Sequence, residues 1–306
     1  MTAEQILATR FSSEIFPTGC DLRRVYTHLM KQWHPDICRH PKASVVFAKV
    51  NELYKTARHL TSPTQVISRH ELGWRHIYDD KIIYAIEKNR YGENAVRMTR
   101  FKYKSNRMKE LMQPILPALQ FRPGEIEVAK PREAYQLRSV LDYFDGSMPH
   151  TAVTWVISRL INLVCYFEVY KFVHNGIEID SCFVDYKMHR IYLLGGWFYA
   201  RPEREKLIGV PQSVYDVMPV QLKSLRVAGI ETDIESVKQI GRLLLGKQFD
   251  AAPTAVKEWL NMGACDMAVT EFDRWGQAII KAYGKRKWTP LDIEEHKLIE
   301  LERRCL

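Results

Sequence analysis

The sequence predicts a multidomain chain: an all-α helical hairpin over about residues 1–65, then a larger α+β domain over about 76–306. Three observations predict this. Two runs with apolar residues at helical spacing stand close together near the N-terminus. The aperiodic, turn-rich stretch TSPTQVISRHELGW (Thr61–Trp74) follows and reads as a boundary, with 66–75 as the linker. Beyond it, short strand-like segments alternate with helical ones. A chain of 306 residues is long for one unit and comfortable for two, and 46% apolar residues with seven tryptophans supply enough material for their cores.

The first run, GCDLRRVYTHLMKQW, has Asp21 as its N-cap. Leu22, Val25, Tyr26, Leu29, Met30 and Trp33 fall on one helical face, while Arg23, Arg24, His28 and Lys31 occupy much of the other. Pro35 ends the run, because proline disfavours α geometry in the residue before it. The second run, KASVVFAKVNELYKTARHL (Lys42–Leu60), places Val46, Phe47, Val50, Leu53, Tyr54 and Ala57 on one face. A short loop between two such helices predicts an antiparallel pair with its apolar faces together. A small leading helix is expected within AEQILATRFSSEIF.

Between the two helices stands His34-Pro35-Asp36. That tripeptide at the end of a basic helix, followed by FAKVNELY with Phe47, Val50, Asn51 and Tyr54, resembles the J-domain of DnaJ-type co-chaperones. The resemblance implies docking on a heat-shock ATPase of the DnaK class and stimulation of its ATP hydrolysis. The contact set would be His34, Pro35 and Asp36 with Arg23, Arg24, Tyr26, His28 and Lys31. An exposed basic face of this kind steers toward an acidic groove and makes association salt-sensitive. Thr27 departs from the pattern, since such helices often carry a further basic residue there. No Gly/Phe-rich linker and no zinc-ribbon cysteines follow, which excludes a full-length DnaJ architecture. His34, Cys38 and His40 lack a fourth ligand, so no metal site is expected.

In the larger domain, HIYDDKIIYAIEKNRYGENAVRMTRFK (His76–Lys102) reads as strands broken by the turn-prone NRYGEN. SNRMKELMQPILPAL reads as a basic helix and EIEVAKPREA as a further strand. A long apolar helix follows over Thr151–Lys171, and then SCFVD and RIYLLGG as two short strands around the turn YKMH. At the end, TPLDIEEHKLIELERRCL has Thr289 as N-cap, Pro290 in the first turn and Leu291, Leu298 and Leu301 in one stripe. It is expected to dock on the second domain.

A small hairpin behind a long buried helix resembles the catalytic-loop region of protein kinases, and other segments agree in order. QLRSVL (Gln136–Leu141) is similar to the segment after the hinge, and DVMP ends at Pro219 where the family carries a proline. TDIESVKQIGRLLLG (Thr232–Gly246) resembles the central helix of the large lobe, and GKRKWTPLDIEEHKL places Arg286 at a late arginine position. The resemblance implies a bilobal fold, with a small lobe over about 76–140 and a helical lobe over about 141–306. It also implies lost catalysis. Kinase chemistry needs a catalytic aspartate, an asparagine and an aspartate on magnesium, and a lysine on the phosphates. Here Gly176 stands at the catalytic aspartate, Glu178 at the lysine of the catalytic loop, Ser181 at the asparagine and Gly195 at the metal aspartate. No glycine-rich loop precedes AVRMTRF. Its lysine position falls among Arg97, Met98 and Lys102, and Glu110 is the candidate acidic partner. Asp180 and Asp185 are the nearest spare carboxylates. The expected protein is a pseudokinase-like scaffold, with no enzyme activity, cofactor or metal. An atypical active kinase, or a nucleic-acid or phosphate-binding adaptor, is the alternative.

The net charge of +9 suggests an acidic partner. RMTRFKYKSNRMK (Arg97–Lys109) mixes cations with Phe101 and Tyr103, as nucleic-acid or phosphate-binding adaptors do. The same pattern describes the solvated face of a strand leading into a helix, and nucleic acid is not the expected partner. Six cysteines without a CxxC pair point to reduced thiols in the cytoplasm. MTAEQILATRF lacks a basic start followed by an apolar block, so no secretory signal is expected, and Arg159 and Glu168 interrupt the most apolar segment, so neither is a membrane span.

Overall fold

Thr2 and Asp21 start the first two helices by satisfying amides that a helix N-terminus leaves open. In the computed structural model, which describes residues 1–9, 12–17, 20–61, 66–70, 72–284 and 291–304, Thr2 and Gln5 form a reciprocal capping box at α1 (Ala3–Ala8). Asp21 accepts from the Arg24 amide at 3.0 Å to open α2 (Leu22–Gln32). α3 (Ala43–Thr61) packs against α2, and Ile6, Phe16, Leu29, Trp33, Val46, Val50 and Leu53 form the core between them. The chain divides into two units: Met1–Val66 with Asp292–Leu306, and Ile67–Leu291.

The second unit is mixed α+β. It opens with β1 (Val66–His70), β2 (Gly73–Ile77) and β3 (Lys81–Ile86), so strands occupy most of the 66–75 stretch that the sequence assigns to a linker. Next come α4 (Asn89–Met98) and α5 (Asn106–Met112), then β4 (Leu119–Arg122) and β5 (Glu125–Ala129), completing a five-stranded sheet in the order β1-β2-β3-β5-β4. α4 corrects the sequence reading, which made NRYGEN a turn and AVRM a strand. Tyr91, Asn94 and Ala95 are buried at helical spacing, and tertiary packing overrides the turn propensity. Gly92 is there because Phe121 lies against it: a Cβ would come 2.1 Å from Phe121 Cε2.

β6 (Tyr135–Gln136) and α6 (Leu137–Tyr143) lead into α7 (His150–Val169). Among the described residues α7 alone is long and apolar enough to cross a membrane, yet most of it is buried within the unit. Then follow β7 (Phe172–Val173), β8 (Cys182–Asp185), β9 (Arg190–Leu193) and β10 (Arg201–Pro202). β6-β8-β9 form one small sheet and β7-β10 another. α8 (Gln212–Val217), α9 (Val220–Leu225), α10 (Ile230–Leu245), α11 (Thr254–Asn261) and α12 (Ala268–Tyr283) complete the unit. α10 packs along α7, and α12 contacts both α7 and α11. Inside this helical body Lys238 reaches Glu271 at 2.9 Å with both side chains fully buried.

The last helix, α13 (Glu295–Arg304), packs on α3. It belongs to the first unit and not to the second, where the sequence reading placed it. Leu298 and Ile299 are its buried apolar residues, and Ile293 just before it is buried too. The kinase-like arginine position, Arg286, and the proposed cap Thr289-Pro290 lie outside the described residues.

Candidate functional site

Pro35 stops α2, and the chain turns at once. The Ile37 and Cys38 amides donate to the His34 carbonyl at 3.0 and 2.8 Å, and the Asp36 amide donates to His34 Nδ1 at 3.2 Å. These bonds close a tight bend in which Pro35 and Asp36 are exposed, Asp36 to 86%, and His34 is half-buried at 42%. The His34 ring stands edge-on to Phe47 of α3 at 5.3 Å, which fixes its direction. Behind the bend, Trp33 is buried and meets the His40 ring edge-on.

Along α2, Arg23, Arg24, Thr27, His28 and Lys31 are all exposed and line one shallow depression with Asp21. The bend thus continues a cationic helix face. Tyr26, assigned by the sequence to the same surface, is half-buried instead. Its ring stacks on Tyr54 at 3.8 Å, and its hydroxyl donates to Asn51 Oδ1 at 2.6 Å. It ties α2 to α3 and holds the basic face in place.

In the second unit the segment His174–Ser181 lies against Gly195–Trp197. Asp233 of α10 anchors it: the His174 and Asn175 amides donate to its two oxygens at 2.7 and 2.8 Å. Asp233 is fully buried, and burial pushes its carboxyl up to about 7 against those two bonds. His174 is buried too, and desolvation drives its ring down to about 3, so it is neutral at physiological pH. Its Nδ1 accepts from the Gly176 amide at 3.2 Å, leaving Nε2 to carry the proton.

Gly176 and Gly195, which the sequence reading sets at kinase carboxylate positions, have no room for a side chain. A Cβ on Gly176 would stand 2.9 Å from the Gly196 carbonyl oxygen, and one on Gly195 would stand 2.8 Å from Tyr84 Oη and 2.9 Å from Ser181 Cα. Gly196, at φ +76, sits in the left-handed region with its carbon facing Gly176. Trp197 fills the remaining space, edge-on to the His174 ring at 4.5 Å. Gly195→Asp is therefore expected to lower the unfolding free energy by about 1–3 kcal/mol through overpacking, with a further cost for a buried charge, and to create no phosphate transfer. Urea denaturation beside a radiolabelled-phosphate assay checks both halves.

The other positions are committed to structure. Ser181 Oγ donates to the Glu178 carbonyl, and Glu178 accepts from Ser213 Oγ at 2.8 Å. Asp180 is clamped by Arg138, whose Nη2 and Nε lie 2.8 and 3.3 Å from its two oxygens. The Asp180 carbonyl accepts from Gln136 and from Arg75 of β2. Asp185 accepts from the Lys187 and Met188 amides and closes the β8–β9 turn. Arg97 and Met98 lie on α4 rather than on a strand, and Lys102 and Glu110 are exposed. Among the described residues no three histidine, cysteine, aspartate or glutamate side chains gather as a metal set.

Sequence reasoning missed the anchoring role of Asp233, although it quoted the helix that carries it. The signal was an acidic residue in the first turn of α10 flanked by Ile230 and Ile234, which the structure buries with it. It also missed Arg75, Gln136 and Arg138, which no local pattern connects to Asp180. No family model matches the chain, and no curated protein is significantly similar to it.

Proposed function

We infer that the chain is a J-domain-type co-chaperone or adaptor of the cytoplasm. Its first unit docks on a DnaK-class ATPase and stimulates ATP hydrolysis. Its second unit is a kinase-like scaffold without catalysis that selects the client or the location. The observation that carries the reading is the exposed His34–Asp36 bend at the end of an exposed basic helix face. A stiff, hydrogen-bonded bend loses little freedom when it is gripped, and the cations of α2 supply long-range attraction to an acidic groove. For the second unit, supports are the order of its elements, the carboxylate of α10 on the His174–Asn175 amides, and the glycines packed where phosphoryl transfer would need carboxylates.

The test uses the full chain, because α13 is part of the first unit. Wild type is expected to raise the single-turnover ATPase rate of a DnaK-class chaperone. His34→Gln should abolish the rise while shifting the melting temperature little, since the side chain is 42% exposed and glutamine can still accept from the Asp36 amide. If wild type binds the chaperone without accelerating it, the protein is a decoy that occupies the chaperone; if it neither binds nor accelerates, the co-chaperone reading is lost.

A further inference from the structure

Arg90, Glu93, Asn94 and Arg97 stand at i, i+3, i+4 and i+7 on α4 and so share one face. With Arg201 of β10 and Ile208, that face lines a cleft of about 320 Å³. The central residue is Asn94, which is buried. Its Nδ2 donates to the carbonyls of Phe198 and Ala200 at 3.1 and 2.8 Å, so its orientation is fixed and Oδ1 faces the arginines. There it accepts from Arg97 Nη2 at 3.0 Å and Arg201 Nη1 at 3.4 Å. Two guanidinium groups thus converge on one neutral oxygen.

The charge is not balanced inside the cleft. Glu93 is the single carboxylate in the lining, against three arginines. Glu205 holds Arg201 through Nη2 from outside the lining, and Arg201 Nε is buried without a partner. Arg90 lies over the Tyr91 ring at 5.0 Å, with its Nη2 only 3.4 Å from the tyrosine hydroxyl. Cations gathered in a concave site repel one another and focus a positive potential that an anion relieves. Guanidinium forks pair bidentately with the oxygens of carboxylates and phosphates, and three arginines around one cleft favour the doubly charged phosphate.

We propose that the cleft between α4 and β10 binds a single phosphate group, free or carried as a monoester by a small molecule. Arg97 and Arg201 grip its oxygens, and Arg90 closes over it. The convergence of two arginines on one amide suits one compact dianion rather than a row of phosphates along a strand. A bound phosphate would also tie α4 more firmly to the segment 197–208, which Asn94 already holds. This site is independent of the co-chaperone reading and stands or falls separately.

The test is calorimetric titration of the full chain with inorganic phosphate and with phenyl phosphate, at constant ionic strength set by chloride. Saturable binding of at least one is expected, about tenfold weaker in Arg97→Gln, as loss of a charge-assisted hydrogen bond implies, and unchanged in Arg122→Gln on the exposed surface of β4. Arg90→Gln, at an exposed position, guards against a folding artefact and should weaken binding as well. Preference for inorganic phosphate identifies the free ion as the ligand, and preference for phenyl phosphate identifies a monoester. The proposal is overturned if neither phosphate binds saturably, or if binding is the same in the Arg97 and Arg90 variants. It is also overturned if a single-stranded oligonucleotide binds here and phosphate fails to displace it.

Discussion

Lys238→Met is expected to lower the unfolding free energy of the second unit by about 3–5 kcal/mol, the usual cost of stranding one member of a buried ion pair. Lys238 and Glu271 are both fully buried and 2.9 Å apart. The ammonium also donates to the Met262 carbonyl at 2.8 Å and stands 4.8 Å from the centre of the Trp259 ring. On the other side, Glu271 accepts from the Cys265 amide at 3.0 Å. Burial pushes the Glu271 carboxyl up, but hydrogen bonds from Cys265 and Lys238 outweigh it and hold the group below its ordinary range. Removing the lysine leaves the buried glutamate with the Cys265 hydrogen bonds and the more distant Arg274 Nη1 at 3.9 Å as its remaining support against desolvation. The double variant Lys238→Met with Glu271→Leu should recover much of the loss, because two apolar side chains of similar volume replace two buried charges. Recovery stays incomplete, since the Cys265 amide and the Met262 carbonyl lose their partners. Trp259 and Trp275, with rings 4.6 Å apart beside the pair, report the transition in a urea titration followed by fluorescence. Equal losses in the single and double variants would show that the pair itself carries little of the stability.

What the sequence discloses and what it hides follow the range of the forces involved. α2 and α3 are legible because each element is specified locally: Asp21 caps, Pro35 stops, and apolar residues recur at helical spacing. The exposure of the bend is legible for the same reason, since a proline loop after a helix has no buried partner to hide it. α4 is not legible. Its cue was Gly92 among turn-prone residues, and only Phe121, well downstream in the chain, explains why a glycine belongs there. Asp180 looked like a spare carboxylate because nothing near it in sequence announces Arg138 or Arg75. That Gly176 and Gly195 are glycines is plain from the sequence, whereas the closing of the space around them required coordinates. The expected stripe of Leu291, Leu298 and Leu301 caught Leu291 and Leu298 but not the buried Ile293 and Ile299, and it did not name the surface that receives α13.

That last point has the second large consequence. Deleting residues 292–306 is expected to unlock α3 in the first unit. Leu298 is fully buried, and Ile293 and Ile299 nearly so. Truncating a buried leucine to alanine alone costs about 2–5 kcal/mol, and the deletion removes all three side chains together. On α3, Val46, Val50, Leu53 and Ala57 form the stripe that joins the first-unit core, yet Thr56 is also fully buried although it lies beside that stripe. A second surface therefore covers α3, and α13 is an element that packs there. The first unit is discontinuous in sequence, with the whole second unit inserted between α3 and α13. Hydrogen exchange read by mass spectrometry should show α3 amides losing protection in the deletion variant, while α7 and α10 keep theirs. Leu298→Ala should produce the same pattern to a smaller degree. Because Tyr26 and His34 position the basic face and the bend by packing on Tyr54 and Phe47 of α3, loosening that helix should also weaken chaperone stimulation without any change to His34, Pro35 or Asp36. Unchanged exchange across α3 would mean that α13 contributes nothing to holding the bend, and a fragment ending near residue 66 would then behave like the full chain.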